Sequence, residues 1–184
     1  MAKVTEQDVI LTVVPPRMKD RYTLRVKSAE FGPSKSSGNP MLTLECEIID
    51  PLIKVFDNKE YALDQLRVMY YFTTKVINPK DDESEAAMIT RSKIAKGRLR
   101  ELHKRLGLDP DFDDENYDIK VWDNVCFFAI VDSKEKIAQR QDPTTGKYEA
   151  LVDGDKKPIK QGWEISAQGD DIMRRVENKT NVAF

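Results

Sequence analysis

Between residues 21 and 50 the chain reads RYTLRVKSAEFGPSKSSGNPMLTLECEIID, two runs of alternating apolar and polar positions around a stretch of Gly, Pro, Ser, Lys and Asn. Side chains along a strand point to opposite faces in turn, so Tyr22, Leu24 and Val26 share one side and Thr23, Arg25 and Lys27 the other. In the second run Leu42, Leu44, Cys46 and Ile48 alternate with Met41, Thr43, Glu45 and Glu47. The pattern predicts a long hairpin with one face in a core, one face free, and a polar tip that carries Lys35. A third strand is predicted over 65–75, QLRVMYYFTTK, where Leu66, Val68, Tyr70 and Phe72 oppose Arg67, Met69 and Tyr71. Residues 51–64 show no period; Asp50-Pro51 and Asp57-Asn58 mark turns, and the stretch reads as a connection with room for a short helix or strand.

The period changes at Ala86. Ala95, Leu99, Leu102 and Leu106 recur at helical spacing, Gly107 supplies a C-terminal stop and Pro110 lies just beyond, which predicts a helix over about 86–107. Its polar face carries Arg91, Lys93, Lys96, Arg98, Arg100, Lys104 and Arg105, with Glu101 the one acid among them. Ile119–Asp132 returns to strand, and Val125–Val131 is apolar on both faces, as a central strand requires. Residues 133–161 mix basic residues with turns at Asp142-Pro143 and Asp153-Gly154 and predict a long arm or extended hairpin; GWEISA at 162–167 is a last strand. Val9–Val14, stopped by Pro15 and Pro16, makes residues 1–20 either an extra edge strand or an N-terminal arm, and 169–184 reads as a polar tail.

The order is strand, strand, strand, helix, strand, strand, with long loops between the first two and the last two. That is a mainly β chain with the plan of the five-stranded OB-fold barrel, whose helix falls between strands 3 and 4 and whose binding loops join strands 1 to 2 and 4 to 5. The expected domain covers residues 21–168; another small α+β sheet with one helix is the competing architecture. With 184 residues, one domain with its own core fits better than two.

Charged residues make up 34% of the chain and the formal net charge is −2, a balance that admits an anionic partner only where the positive charges cluster. Cys46 and Cys126 both sit in apolar runs and read as buried free thiols, which points to a reducing, cytoplasmic setting. Val9–Val14 is too short for a signal core or a membrane span.

Catalytic and metal signatures fail on inspection. GPSKSSG at 32–38 looks like a phosphate loop, but Asn39 stands where lysine must follow and the segment joins two strands. Gly146-Lys147 has Gln141 in place of the leading glycine and Tyr148 in place of Ser or Thr. Asp109, Asp111 and Asp113 mimic the start of an EF-hand, yet Asp114 holds the turn-glycine position and Lys120 the bidentate-Glu position. His103 is the one histidine, so neither a zinc set nor a nucleophilic triad can be completed around it. Asp81, Asp82, Glu83 and Glu85 form a charge run of the kind that lies in a solvated loop, whereas a metal-dependent nuclease holds its acids on rigid strands. No enzyme, metal or cofactor is expected.

Three segments then carry the resemblance. The SKSSGNPM turn at 34–41 between YTLRVKSAEFG and LTLECEIID resembles phage-encoded OB-fold single-stranded DNA-binding proteins of replication and recombination modules, and the helix end KRLGLD and the strand DNVCFFAIV are similar in kind. The resemblance covers roughly residues 21–167 and implies a viral protein in the host cytoplasm. Such a protein binds single-stranded DNA without sequence specificity, beside replication, recombination or repair proteins. RNA binding and homo-oligomer formation are left open. Bacterial-type binders end in an acidic tail closing on Phe; here Phe184 follows NKTNVA, and Asp170, Asp171 and Glu177 are interleaved with Arg174 and Arg175.

A single-strand binder needs cations along the backbone path and flat rings for the bases. The candidates are Arg25 and Lys27 on the first strand, Lys35 in the first loop, Arg67 and Tyr71 on the third strand, and Lys134, Lys136, Arg140, Lys147 and Tyr148 on the arm. Lys156, Lys157 and Lys160 extend the arm's basic run. Trp122 and Trp163 are expected to anchor the core, and the basic helix to plug the barrel with its cations in solvent or against residues 109–115. The other class of function is a β-barrel interaction or assembly module that uses the same arms on a protein and its lysines for solubility.

Overall fold

The computed structural model describes residues 13–108 and 117–177. In chain order these form β1 (Asp20–Pro33), β2 (Pro40–Asp50), β3 (Ile53–Phe56), β4 (Lys59–Ala62), β5 (Arg67–Thr73), α1 (Glu85–Leu106), β6 (Cys126–Ile137), β7 (Gln139–Gln141), β8 (Tyr148–Ala150), β9 (Lys160–Ser166) and β10 (Ile172–Val176). The described residues are mainly β, with one α-helix and one large antiparallel sheet in the order β10-β6-β1-β2-β5, to which β9 adds by pairing with β6.

The hairpin forms as its alternation requires. Tyr22, Leu24 and Val26 of β1 and Leu42, Leu44, Cys46 and Ile48 of β2 are buried, and Val68 and Tyr70 of β5 join them. The expected long loop between the first two strands is in fact six residues, 34–39, because the ladder continues to Pro33 opposite Pro40. Both prolines lack an N–H, so they are tolerated at this last rung and nowhere further in. The aperiodic connection after β2 folds as a second hairpin, β3 against β4. Asp57 and Asn58 make its two-residue turn with φ of 50° and 61°, the left-handed pair that matches strand twist.

Ser84 caps α1 by accepting from the Ala87 amide at 3.2 Å, and Gly107, at φ 62°, lets the Leu108 amide return to the His103 carbonyl at 2.9 Å. Leu99, Leu102 and Leu106 face the core, and the helix packs on β5 and β10. His103 is buried, with Nε2 2.9 Å from the Tyr117 hydroxyl and its ring edge-on to Trp122 at 5.3 Å. The Trp122 Nε1 donates to the same hydroxyl. Burial pushes the Tyr117 phenol up to about 12, so it stays protonated and binds both neighbours as a neutral group. Trp122 is fully buried, as expected, but it lies on a 3-10 turn, Ile119–Trp122, and β6 begins only at Cys126.

The β6 strand has two jobs along its length. Its first half lies between β1 and β10, and its second half pairs with β9. β9 and β10 therefore lie along one edge of β6, interrupted by residues 167–171 and a 3-10 turn at Gly169–Asp171. Residues 169–177, read from sequence as polar tail, thus contain a core strand anchored by buried Ile172. The arm between β6 and β9 holds a short β7–β8 hairpin followed by a second turn closed by a bridge between Val152 and Pro158. Ser133 ties down the entry segment: its Oγ donates to the Pro15 carbonyl at 2.8 Å and accepts from the Met18 amide at 3.0 Å. Of the strand expected at Val9–Val14, residues 9–12 lie outside the described residues and Val13 and Val14 form no strand; the acidic stretch 109–116 and the end of the tail with Phe184 also lie outside them. Among the described residues no helix is long and apolar enough to cross a membrane.

Candidate nucleic-acid interface

Tyr70 and Tyr71 are adjacent and fare oppositely. Tyr70 is 1% exposed and Tyr71 is 61% exposed, because successive strand residues alternate faces and the sheet has only one core. Across the ladder from Tyr71 stands Thr43, whose small side chain leaves the ring uncovered. Three surface depressions meet at Tyr71, which lines all of them.

The first, about 620 Å³, lies between the β1–β2 turn and the open face of β2 and β5, with Lys35, Phe31 and Met69 in its wall. The second, about 630 Å³, lies where β5 faces β9, and holds Arg67, Lys134, Lys136 and Trp163. The third, about 220 Å³, runs between β5, the start of the 3-10 turn and α1, with Arg98 and Arg105 on its helical side. Lys35, Lys136 and Arg98 form no ion pair among the described residues. Arg105 donates to the Ile172 carbonyl at 2.6 Å.

The turn at the mouth of the first depression is held from behind. The Asn39 side-chain oxygen accepts from the amides of Ile77 and Asn78, both at 2.9 Å, and the Asn78 side chain donates to the Ser37 carbonyl at 2.7 Å. Asn39 is buried, so the two bonds it accepts are partly shielded from water, while the Asn78–Ser37 bond is exposed.

Carboxylates lie among the cations. Arg25 donates to Glu47 through Nε and Nη2, Lys27 is 4.0 Å from the same carboxylate, Arg67 is 3.4 Å from Glu45, and Lys134 is 3.2 Å from Glu164. On the β1–β2–β5 face the row Arg25, Glu47, Arg67 therefore alternates in sign. Such exposed pairs are weak, each worth about 0–1 kcal/mol, and a phosphate can displace a carboxylate from them.

Of the residues singled out from sequence, the structure gathers Lys35, Arg67, Tyr71, Lys134 and Lys136 around the depressions. Arg25 and Lys27 share the open sheet face and are engaged by Glu47. Arg140, Lys147 and Tyr148 stand apart on the β7–β8 hairpin, exposed and lining none of the three. The Asp142 carboxylate shapes that hairpin's turn by accepting from the amides of Thr144 and Thr145, which hold its pKa below the usual range.

Sequence reasoning missed four residues of the site. Trp163, expected in the core, is only part-buried and opens onto the second depression, because no ladder among the described residues joins β9 to β5. Phe31 carries no distinguishing pattern in the sequence, yet it is 42% exposed near the end of β1. Arg98 and Arg105 belong to a helix expected to plug the barrel, whereas α1 packs on β5 and brings both to Tyr71. Their i, i+7 spacing on one stripe was the available signal.

Both cysteines, Cys46 and Cys126, are buried thiols. Burial raises both, and at Cys126 the positive charges of Arg25 and Arg175 only partly offset it. The depressions bring together three rings, Phe31, Tyr71 and Trp163, with the cations Lys35, Arg67, Lys134 and Lys136 and the carboxylates Glu30 and Glu164 in the same walls. No family model, no curated protein and no solved structure matches this chain.

Proposed function

We propose that the chain is an OB-type domain that binds single-stranded DNA without sequence specificity and protects and organises it, without catalysis. The observation that carries this reading is the position of Tyr71, a 61% exposed ring where three cation-lined depressions meet. Bases stack on such rings whatever their identity, and the surrounding Lys and Arg side chains suit a phosphate backbone.

The strand order supports the OB assignment. Read along the sheet it is β9-β6-β1-β2-β5, with α1 between β5 and β6, which is the OB order with the last contact, β5 to β9, left as an open groove. The resemblance of the β1–β2 hairpin to phage-encoded binders suggests viral replication, recombination or repair as the setting and the host cytoplasm as the compartment.

Titration of a fluorescently labelled oligo(dT) at two salt concentrations tests the reading, with an oligo(U) of equal length to compare RNA. Micromolar or tighter binding that weakens steeply with salt is expected. No binding at low salt overturns it. The second reading, a protein-interaction module, is favoured by Glu45 and Glu47 among the cations and by the exposed Leu52, Ile53 and Val55 of the β3–β4 segment. The same titration separates the two.

A further inference from the structure

On the open side of the β10–β6–β1 part of the sheet, far along the strand order from Tyr71, two arginines share one ring. The Arg21 guanidinium lies 5.0 Å and that of Arg174 lies 5.3 Å from the centre of the Phe128 ring. The sheet register brings them there: Thr23 of β1 and Arg174 of β10 flank Phe128 of β6, and Arg21 is opposite Ile130, the next residue on that face. Arg175, one residue on and opposite Phe127 in the register, lines a separate depression with Asn124, Cys126 and Glu177. All three arginines are exposed.

Several sheet and helix cations are paired with carboxylates, Arg25 with Glu47, Arg67 with Glu45, Lys54 with Asp20 and Arg91 with Glu83, whereas Lys136 and Arg98 at the Tyr71 depressions are not, among the described residues. Arg21, Arg174 and Arg175 have no carboxylate within ion-pair distance among the described residues. Asp20, next to Arg21, is engaged by Lys54, and Asp132 accepts from the Ser133 amide. Contact with a ring face holds a guanidinium in place and uses none of its N–H donors, so both remain available to an oxygen-rich anion.

We infer that Arg21 and Arg174, seated on Phe128, form a second phosphate-backbone site. It takes phosphodiesters of a nucleic-acid strand that continues past the Tyr71 groove onto the other half of the sheet. This rests on the nucleic-acid reading above. A strand short enough to fill only the groove does not reach this site, and a longer one does.

The test compares an oligo(dT) of about 10 nucleotides, within the roughly 4–16 that one OB domain occupies, with one about three times longer. The proteins are the wild type, Arg21→Gln/Arg174→Gln, and Arg21→Lys/Arg174→Lys. For the long oligomer the Gln variant is expected to lose about 1.4 from the slope of log K against log salt, two contacts at about 0.7 each. Its affinity then falls about sevenfold less than that of the wild type between 50 and 200 mM salt. Binding of the short oligomer stays within twofold of wild type, and the Lys variant keeps the wild-type slope. An unchanged slope on the long oligomer overturns the inference while leaving the groove reading intact, as does equal loss on both oligomers, which places the arginines in the groove itself. Failure of the wild type to bind either oligomer overturns both readings together.

Discussion

Arg25 of β1 donates to one oxygen of Glu47 on β2 through both Nε and Nη2, at 2.7 and 2.5 Å, directly across the ladder from each other. The pair holds a cation in the middle of the open sheet face and cancels its charge there. Glu47→Gln removes the cancelling charge from Arg25 and Lys27 together. The expected result is tighter oligo(dT) binding with a salt slope steeper by about 0.7 for each cation released to a phosphate. The folding cost is expected below about 1 kcal/mol, because the pair is solvent-exposed. An unchanged slope places Arg25 and Lys27 off the strand's path.

Tyr71→Ala is expected to weaken oligo(dT) binding by about 5- to 150-fold, the equivalent of about 1–3 kcal/mol of stacking, with little change in melting temperature. Its neighbour gives the opposite signature. The Tyr70 hydroxyl is buried without a hydrogen-bond partner among the described residues, and burial raises its pKa well above the ordinary phenol value. Tyr70→Phe removes an unsatisfied polar atom and is expected to leave stability unchanged or raise it by up to about 1 kcal/mol, read by urea denaturation, with oligomer binding intact.

Gly169 faces the same region from the side of the 3-10 turn, and a Cβ placed on it would lie 2.3 Å from Cε1 of Phe72. Gly169→Ala must displace that ring, which packs against the core, so a loss of about 1–3 kcal/mol is expected from overpacking. Gly97 supplies the contrast, on the exposed side of α1 with no atom within 4 Å of an added Cβ. Gly97→Ala is expected to stabilise by about 1 kcal/mol through helix propensity. Thermal melts of the two variants should move in opposite directions.

Acid should loosen the lead-in to α1. Glu83 accepts from Arg91 and from the Lys80 amide, and these bonds, the Arg91 bond first, hold its carboxyl below the ordinary value. A carboxyl lowered in the folded state contributes stability above its unfolded pKa of about 4.3 and loses it as pH falls through the folded value. Glu83→Gln should therefore melt below wild type at neutral pH and converge with it in strong acid. Parallel melting curves across the whole range would remove Glu83 from the account.

How far the chain could be read in advance depended on how local each cause was. Strict alternation made β1, β2 and β5 legible, and Leu99, Leu102 and Leu106 with Gly107 made α1 so. β3 and β4 are too short to show a period, and β10 conceals a single buried residue, Ile172, among Met173, Arg174 and Arg175. At the site, Tyr71 was legible because its exposure follows from alternation alone. The roles of Trp163, Arg98 and Arg105 depend on β9 and α1 coming to the two sides of β5, a tertiary outcome no window of sequence encodes. The carboxylates that blunt Arg25 and Arg67 were visible as residues, but their effect needed the register.

Asn39 joins two parts of the chain that are distant in sequence, since its one side-chain oxygen takes the amides of Ile77 and Asn78. Those two amide protons are released to exchange when Asn39 lets go of them, as it must when the β1–β2 turn lifts away from the approach to α1. Their hydrogen-exchange rates are thus a built-in reporter of turn opening, readable without any label. A ligand filling the depression in front of the turn would slow both together, whereas one bound elsewhere on the sheet would leave them as they are.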